Sequence, residues 1–333
     1  MEIAVIGAGS WGTALAKTLA DKGHDVALWG RDAEHIATIN ATRQNAGYLP
    51  NASLPATLTA TVDLERAVAG KEMVVSVVPS HTVREVVGRA AKAIDPSAIV
   101  VSASKGIEND SLATMDEVLK EVLPGRLGTR LAFLSGPSFA REVGQRLPTA
   151  VVIASRDRDA AQGAQAAFAT DRFRVYTGDD VIGVELGGAL KNVMAIGAGI
   201  ADGLGFGHNA RAALITRGLA EITRLAVRRG ANPLTLAGLA GLGDLVLTCT
   251  GDLSRNRTVG IGLGKGQTLA QVLAGMKQVA EGVKTTQSAR DLGRREGVEM
   301  PITEMVWSIL YQGHSAAEGV VELLTRPMKH ELG

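Results

Sequence analysis

Short apolar runs recur along the first half of the chain, at about 2–6, 25–29, 73–77, 98–102, 131–134, 149–154 and 172–176, each the length of a buried strand. Between most of them apolar residues return every three or four positions, for instance over 82–93 and 112–122, the period of a helix packed on one side. This alternation predicts a parallel, doubly wound sheet with helices on both faces. From about residue 180 the strand pattern stops. Helical stretches follow at about 180–200, 209–229, 234–238, 268–274, 284–296, 302–312 and 315–324, separated by short glycine-rich turns. The expected architecture is an α/β chain: a doubly wound, mostly parallel sheet domain over 1–180 and an all-α domain over 181–333.

The first strand runs straight into Gly7-Ala8-Gly9-Ser10-Trp11-Gly12. Three glycines at these offsets, after a strand and before a helix, suit a dinucleotide-binding turn of the Rossmann type. Gly7 allows a tight turn, Gly9 leaves room for a pyrophosphate, and Gly12 lets the helix pack close to the sheet. That helix would aim its positive end at the diphosphate. Beyond the strand ends lie Gly30-Arg31, Val78-Pro79-Ser80, Ser104-Lys105-Gly106 and Ser135-Gly136-Pro137-Ser138, all of which could face one crevice. Arg31 stands where an acid would select NAD, and it can pair with a 2′-phosphate, which leans toward NADP. Asp32 follows at once and either opposes that preference or caps the next helix.

Composition narrows the classes. The 333 residues carry 35 basic and 34 acidic side chains, so no bulk charge draws the chain to nucleic acid or membrane. Aromatic residues make up 3%, too few for base-stacking platforms. One cysteine, Cys249, excludes an internal disulfide and a multi-cysteine metal site, and the six histidines show no ligand spacing, so no metal is expected. The N-terminus has no basic segment ahead of a long apolar one, and the most apolar stretch, around 186–201, contains Lys191. A cytoplasmic enzyme without membrane insertion is the expectation.

Lys191 lies in that apolar stretch, in Gly187-Gly188-Ala189-Leu190-Lys191-Asn192. A lysine there is costly unless it meets a polar cleft, and burial beside another cation would lower its pKa into the range of a general base. Lys105 could be that cation. Asp244, between apolar residues in Ala240-Gly241-Leu242-Gly243-Asp244, needs a partner, and a lysine suits it; the other reading is a helix cap. Ser254-Arg255-Asn256-Arg257 brings a hydroxyl, an amide and two guanidinium groups together, a good phosphate cradle or a solvated loop.

These segments occur in one order together with Ser104-Lys105-Gly106, Gly136-Pro137-Ser138-Phe139-Ala140 and Glu281-Gly282. In that order the chain resembles bacterial NAD(P)-dependent glycerol-3-phosphate dehydrogenase from residue 3 to past 310. The resemblance implies that Lys191 exchanges a proton with the C2 oxygen of sn-glycerol 3-phosphate and dihydroxyacetone phosphate, with Lys105 and Asp244 beside it and Lys105 polarising the carbonyl. It implies substrate contacts from Gly136, Ser138, Asn192, Thr248, Ser254, Arg255 and Asn256. It implies dinucleotide contacts from Ser10, Trp11, Arg31, Tyr48, Lys105, Ala140, Arg255, Val279 and Glu281 in addition to the glycines. NADP(H) would be preferred with NAD(H) possible, the chain would be a homodimer, and its product would feed glycerophospholipid synthesis.

The chemistry agrees with those roles. Charge develops on the C2 oxygen as hydride moves, so an ammonium there both donates a proton and stabilises the anion, help worth about 10²–10⁴ in rate. Two other readings stand beside this one: a dehydrogenase of the β-hydroxyacid or 6-phosphogluconate type, and a non-catalytic dinucleotide sensor.

Overall fold

The structure, a computed structural model, describes residues 1–276, 280–328 and 330–331. Eight strands form one sheet in the spatial order Phe173–Gly178, Thr149–Ala154, Leu131–Ser135, Ile99–Ser102, Met73–Ser76, Glu2–Ile6, Asp25–Trp29, Leu58–Thr61. Neighbours run parallel, with Ile3 opposite both Val26 and Met73. The exception is Leu131–Ser135 against Thr149–Ala154, which is antiparallel with Leu134 opposite Ile153. The link between those two holds one short helix, Ala140–Gly144. Its roughly 7 Å of rise falls short of the roughly 16 Å needed to return along a five-residue strand. Helices cover both faces of the sheet, and each face has its own apolar cluster, one around Ile3, Val5 and Leu15 and the other around Ile6, Val74 and Val118.

The chain starts in the middle of the sheet, builds outward to Leu58–Thr61, then crosses back to Met73–Ser76 and builds to the other edge. The order therefore reverses between Ile6 and Ser76, the place in such a sheet where ligands bind beyond the carboxyl ends of the strands. Gly7 sits there at φ +124, with the backbone of Val77 3.0 Å from where a Cβ would project. A Cβ on Gly12 would lie 1.8 Å from the carbonyl oxygen of Gly7, so the helix Ser10–Asp21 can start at this height only with glycine at 12.

The edge strand Leu58–Thr61 reads Leu-Thr-Ala-Thr, without the apolar run of the other strands, because it has a neighbour on one side only. A small antiparallel hairpin, Gln44–Asn45 with Leu49–Ser53, is a second feature beyond the expected strands.

From Val181 onward the described residues form helices and the turns between them. The helix Val181–Gly203 is capped by Asp180, whose side chain accepts from Gly183 N at 2.9 Å. It is long and apolar enough to cross a membrane, but its most apolar window is 89% buried inside the protein, which makes it the core helix of this half. The second stretch of that hydropathy, Pro233–Thr250, is broken into Pro233–Leu236, Leu239–Gly243 and Asp244–Thr250.

Against the core helix lies Arg255–Gly264, a helix beyond the pattern expected from sequence because its Val-Gly-Ile-Gly-Leu-Gly run has poor helix propensity. Here the glycines serve packing. A Cβ on Gly199 would lie 2.1 Å from Arg257 O, and one on Gly260 would lie 2.0 Å from Ile196 O. Gly260→Val should therefore lower stability by about 3 kcal/mol, the cost of overpacking a tight contact. Equilibrium denaturation measures it, and an unchanged midpoint would contradict this packing.

Candidate active site

The core helix carries Lys191 to the sheet side of the helical half. Gly187 and Gly188 make that approach possible, for a Cβ on Gly187 would meet Ala240 O at 2.6 Å and one on Gly188 would meet Ser135 Oγ at 2.7 Å. The segment Leu239–Gly243 forms one wide turn of π-helix, and Asp244 starts the next helix directly beneath Lys191. Lys105 reaches in from the loop after Ile99–Ser102, its stem running over Gly188.

These residues meet in one buried cluster. Asp244 Oδ2 accepts from Lys105 Nζ at 2.6 Å, and Oδ1 accepts from Lys191 Nζ. Lys191 also donates to Thr248 Oγ1 at 2.9 Å, and that hydroxyl donates to the Asp244 carbonyl one helical turn back at 2.6 Å. Lys105 Nζ lies 3.4 Å from Gly136 O, which also accepts from Ser138 Oγ at 2.9 Å. Asp244 is 1% and Lys191 7% exposed, so both charges are held almost without water.

Two ammonium groups share one carboxylate, and this sets the titration. Burial lowers the Lys191 pKa to about 8, with Lys105 adding to the fall and Asp244 opposing it. Burial pushes the Asp244 carboxyl up, but Lys105 and Lys191 outweigh it, and the net direction is down. Glu281, the first residue of the helix Glu281–Arg295, is driven up by burial while Arg255, Lys105 and Lys191 pull it down. Cys249, next to Thr248, is buried, and its thiol is pushed up to about 12 by burial, so it is inert at neutral pH.

The Ser-Arg-Asn-Arg segment divides its side chains. Ser254 caps the helix Arg255–Gly264, accepting from Arg257 N at 3.2 Å. Arg255 is exposed. Asn256 is buried and joins three elements: its amide donates to Asn192 Oδ1 and its carbonyl oxygen accepts from Gly282 N, each at 2.9 Å. Arg257 turns away from the cluster, to Asp202 at 2.7 Å and Asp252 at 2.9 Å, so the expected cradle has one guanidinium rather than two.

At the glycine turn, the position of a Gly9 Cβ has nothing within 4 Å, while the helix Ser10–Asp21 begins immediately behind it. An open face above a helix N-terminus fits a diphosphate. Gly7 N donates to Trp29 O at 2.9 Å, and the indole Nε1 of Trp11 is buried with no hydrogen-bond partner among the described residues. Ala140 opens the short helix that packs on Ser10–Asp21. At the end of the second strand Arg31 is exposed, whereas Asp32 caps the helix Ala33–Thr42 by accepting from His35 N at 2.9 Å. Tyr48 is 39% exposed, its ring centroid 5.1 Å from that of His35. Val279 lies outside the described residues. Among the described residues no three His, Cys, Asp or Glu side chains are grouped to hold a metal. Sequence reasoning passed over Glu185, whose carboxyl is buried six residues before Lys191; the signal was a second charge in the apolar stretch.

The chain is similar to known proteins over nearly its whole length. The model of the NAD-dependent glycerol-3-phosphate dehydrogenase N-terminus matches residues 2–161, and that of the C-terminus of the same enzyme matches 180–321. A protein of Citrifermentans bemidjiense named glycerol-3-phosphate dehydrogenase [NAD(P)+] is 58% identical over 330 residues, covering 99% of this chain and 98% of its own. One of the same name from Geobacter sulfurreducens is 57% identical over 329 residues, covering 99% and 98%. The crystal structure of glycerol-3-phosphate dehydrogenase from Coxiella burnetii superposes with a TM-score of 0.93 at 44% identity, covering 97% of this chain and 98% of that one.

Proposed function

The chain belongs to the NAD-dependent glycerol-3-phosphate dehydrogenase family, and from that premise we propose the part each residue takes in its reaction. The protein is an oxidoreductase that interconverts dihydroxyacetone phosphate and sn-glycerol 3-phosphate with NAD(P)(H). The reading as a dehydrogenase of the β-hydroxyacid or 6-phosphogluconate type and the sensor reading give way to this assignment. Residues 1–180 serve as the dinucleotide-binding domain and 181–333 as the substrate and catalytic domain. The product enters glycerophospholipid synthesis, and the enzyme works in the cytoplasm.

The buried cluster of Lys191, Asp244 and Lys105 is the observation that carries this account. With its diphosphate held at the glycine turn, a bound dinucleotide would supply or accept, through its nicotinamide, the hydride at C2. Lys191 donates its proton to the C2 oxygen in reduction and takes it back in oxidation, and Asp244 holds the amine on line. Lys105 polarises the same oxygen and offsets the charge that develops there. Thr248 keeps the Lys191 ammonium oriented through its bond to Nζ. Arg255 clamps the phosphate with Ser254, Gly136 and Ser138 around it, while Asn256 fixes Asn192 and the start of the Glu281–Arg295 helix. The remote phosphate contact sets which face of C2 is presented. Gly7, Gly9, Ser10, Trp11, Gly12 and Ala140 receive the diphosphate end, and Tyr48, Val279, Glu281 and Arg255 complete the dinucleotide contacts.

NADP(H) is the preferred form. Arg31 is exposed where a 2′-phosphate would lie, and the Asp32 carboxylate is already engaged as a helix cap. The working form is a homodimer. The helix His208–Arg228 buries few side chains and lines a largely apolar cleft with Ile302, Met305, Val306, Leu323 and Leu324, a surface suited to a second copy. Leu324, 80% exposed, is the residue to change: Leu324→Arg should shift the species seen by sedimentation from dimer to monomer, and an unaltered dimer would place the interface elsewhere.

Lys191→Ala should lower kcat with dihydroxyacetone phosphate by about 10²–10⁴ while the Kd for NADPH stays near wild type. Activity within tenfold of wild type would move the proton donor to another residue. The pH profile has opposite signs in the two directions. Reduction needs the Lys191 ammonium and should fall as pH rises through about 8, whereas oxidation needs the free amine and should rise through the same range. Steady-state kcat in both directions checks this, and parallel slopes would contradict it. Arg31→Ala should raise KM for NADPH by about tenfold or more with little change for NADH, the value of one charge-assisted phosphate contact. An equal change for both cofactors would remove Arg31 from the 2′-phosphate site.

A further inference from the structure

Three neighbouring strands, Met73–Ser76, Ile99–Ser102 and Leu131–Ser135, each end in serine. Ser76 pairs with Ser102 and Ser102 with Phe133, so Ser135, two residues on from Phe133, shares their face of the sheet. All three serines are buried, and none of their hydroxyls has a hydrogen-bond partner among the described residues. Ser102 and Ser135 border a small cavity with Lys105, Gly188, Met115, Phe133 and Glu185. Its volume of about 10 Å³ is roughly what one water molecule needs.

Glu185 projects from the core helix three residues before Gly188 and six before Lys191, so cavity, Lys105 stem and catalytic amine follow one another along one side of that helix over about 9 Å. Its Oε1 accepts from Asp116 N at 2.9 Å, at the start of the helix Met115–Val122. Its Oε2 is sealed from solvent and has no partner among the described residues. A buried carboxylate oxygen without a donor is costly, whereas a carboxylic acid there can give its proton to a water that two hydroxyls also hold.

We propose that Ser102, Ser135 and Glu185 hold one internal water behind Lys105, and that Glu185, kept there as a neutral acid, is a positioning residue that leaves the Lys105 ammonium to Asp244. The inference rests on the role given above to Lys105. An ionised Glu185 would be a second anion along the Lys105 stem, competing with Asp244 for the same ammonium. The charges around it favour the neutral form. Asp116 and Glu117 face it from the Met115–Val122 helix, and Asp116 is itself bound to Lys120 at 3.0 Å and Arg156 at 2.8 Å, which leaves those cations committed elsewhere. Burial, aided by Asp116, raises the Glu185 pKa to about 8 against the hydrogen bonds it accepts.

The test compares wild type with Glu185→Gln and Glu185→Leu in the full chain. A crystal structure should show an ordered water within hydrogen-bond distance of Ser102 Oγ, Ser135 Oγ and Glu185 Oε2. The folding equilibrium constant of Glu185→Gln relative to wild type should rise with pH, by up to tenfold per unit between about pH 5 and pH 8, because over that range wild type alone must release a proton on unfolding. The kcat of Glu185→Leu should fall about tenfold through misplacement of Lys105, with Glu185→Gln, which copies the neutral acid, restoring most of it. A dry cavity, a folding ratio independent of pH, or a Gln variant as impaired as Leu would each overturn the proposal. The first two readouts need no turnover, so they stand apart from the assignment of Lys105 and Lys191 to the reaction.

Discussion

One carboxylate between two ammonium groups, closed off from water, is the constraint around which the rest is arranged. Asp244 alone at 1% exposure would ionise with difficulty, and Lys191 alone would lose its proton. With Lys105 the cluster holds a net positive charge, and short hydrogen bonds to both carboxylate oxygens of Asp244 offset the cost of keeping it dry. Lys105 comes from the sheet half, while Lys191 and Asp244 come from the helical half, so the pocket exists only where the two halves meet. That also explains why the site lies beyond the carboxyl ends of the strands. There the glycine turn, the Lys105 loop and the Gly136 loop all arrive from the same edge of the sheet.

The parts legible in sequence were those with local causes. The glycine turn, the buried strands and the long core helix each follow from residues close together in the chain, and the lysine within an apolar helix marked itself as needing a distant partner. Features set by distant neighbours were less visible. Leu58–Thr61 is a strand because Asp25–Trp29 offers an edge, and the Arg255–Gly264 helix forms despite its glycines because another backbone lies against it. Arg257 looked like a ligand-binding arginine until Asp202, more than fifty positions earlier, was found to hold it. Asp32 left the cofactor question open in sequence, and a hydrogen bond to His35 N shows where its charge is directed. Glu185 was less legible for a different reason: the cavity it borders is lined by two strand-end hydroxyls, Ser102 and Ser135, that only the sheet brings near it.

The polar residues of the helical half separate into those that join the Lys191–Asp244 cluster and those that hold the frame. Glu221 belongs to the second group. It is buried and accepts from Ile302 N at 2.5 Å and Thr303 N at 3.2 Å, closing the start of the Pro301–Tyr311 helix. Asn256 stands between the groups. Its two bonds lock the neighbour of Lys191 to the neighbour of Glu281.

The four glycines 199, 203, 260 and 264 place two helices in backbone contact, each pair of turns meeting carbonyl to Cα with no side chain between. Lys191 rides on one of these rods, and Ser254 and Arg255 sit at the head of the other. The spacing of the two backbones is thus fixed by peptide geometry rather than by side-chain packing. Such a joint is stiff: no side chain lies in it to repack, so the two helices can slide or part only if their main chains move.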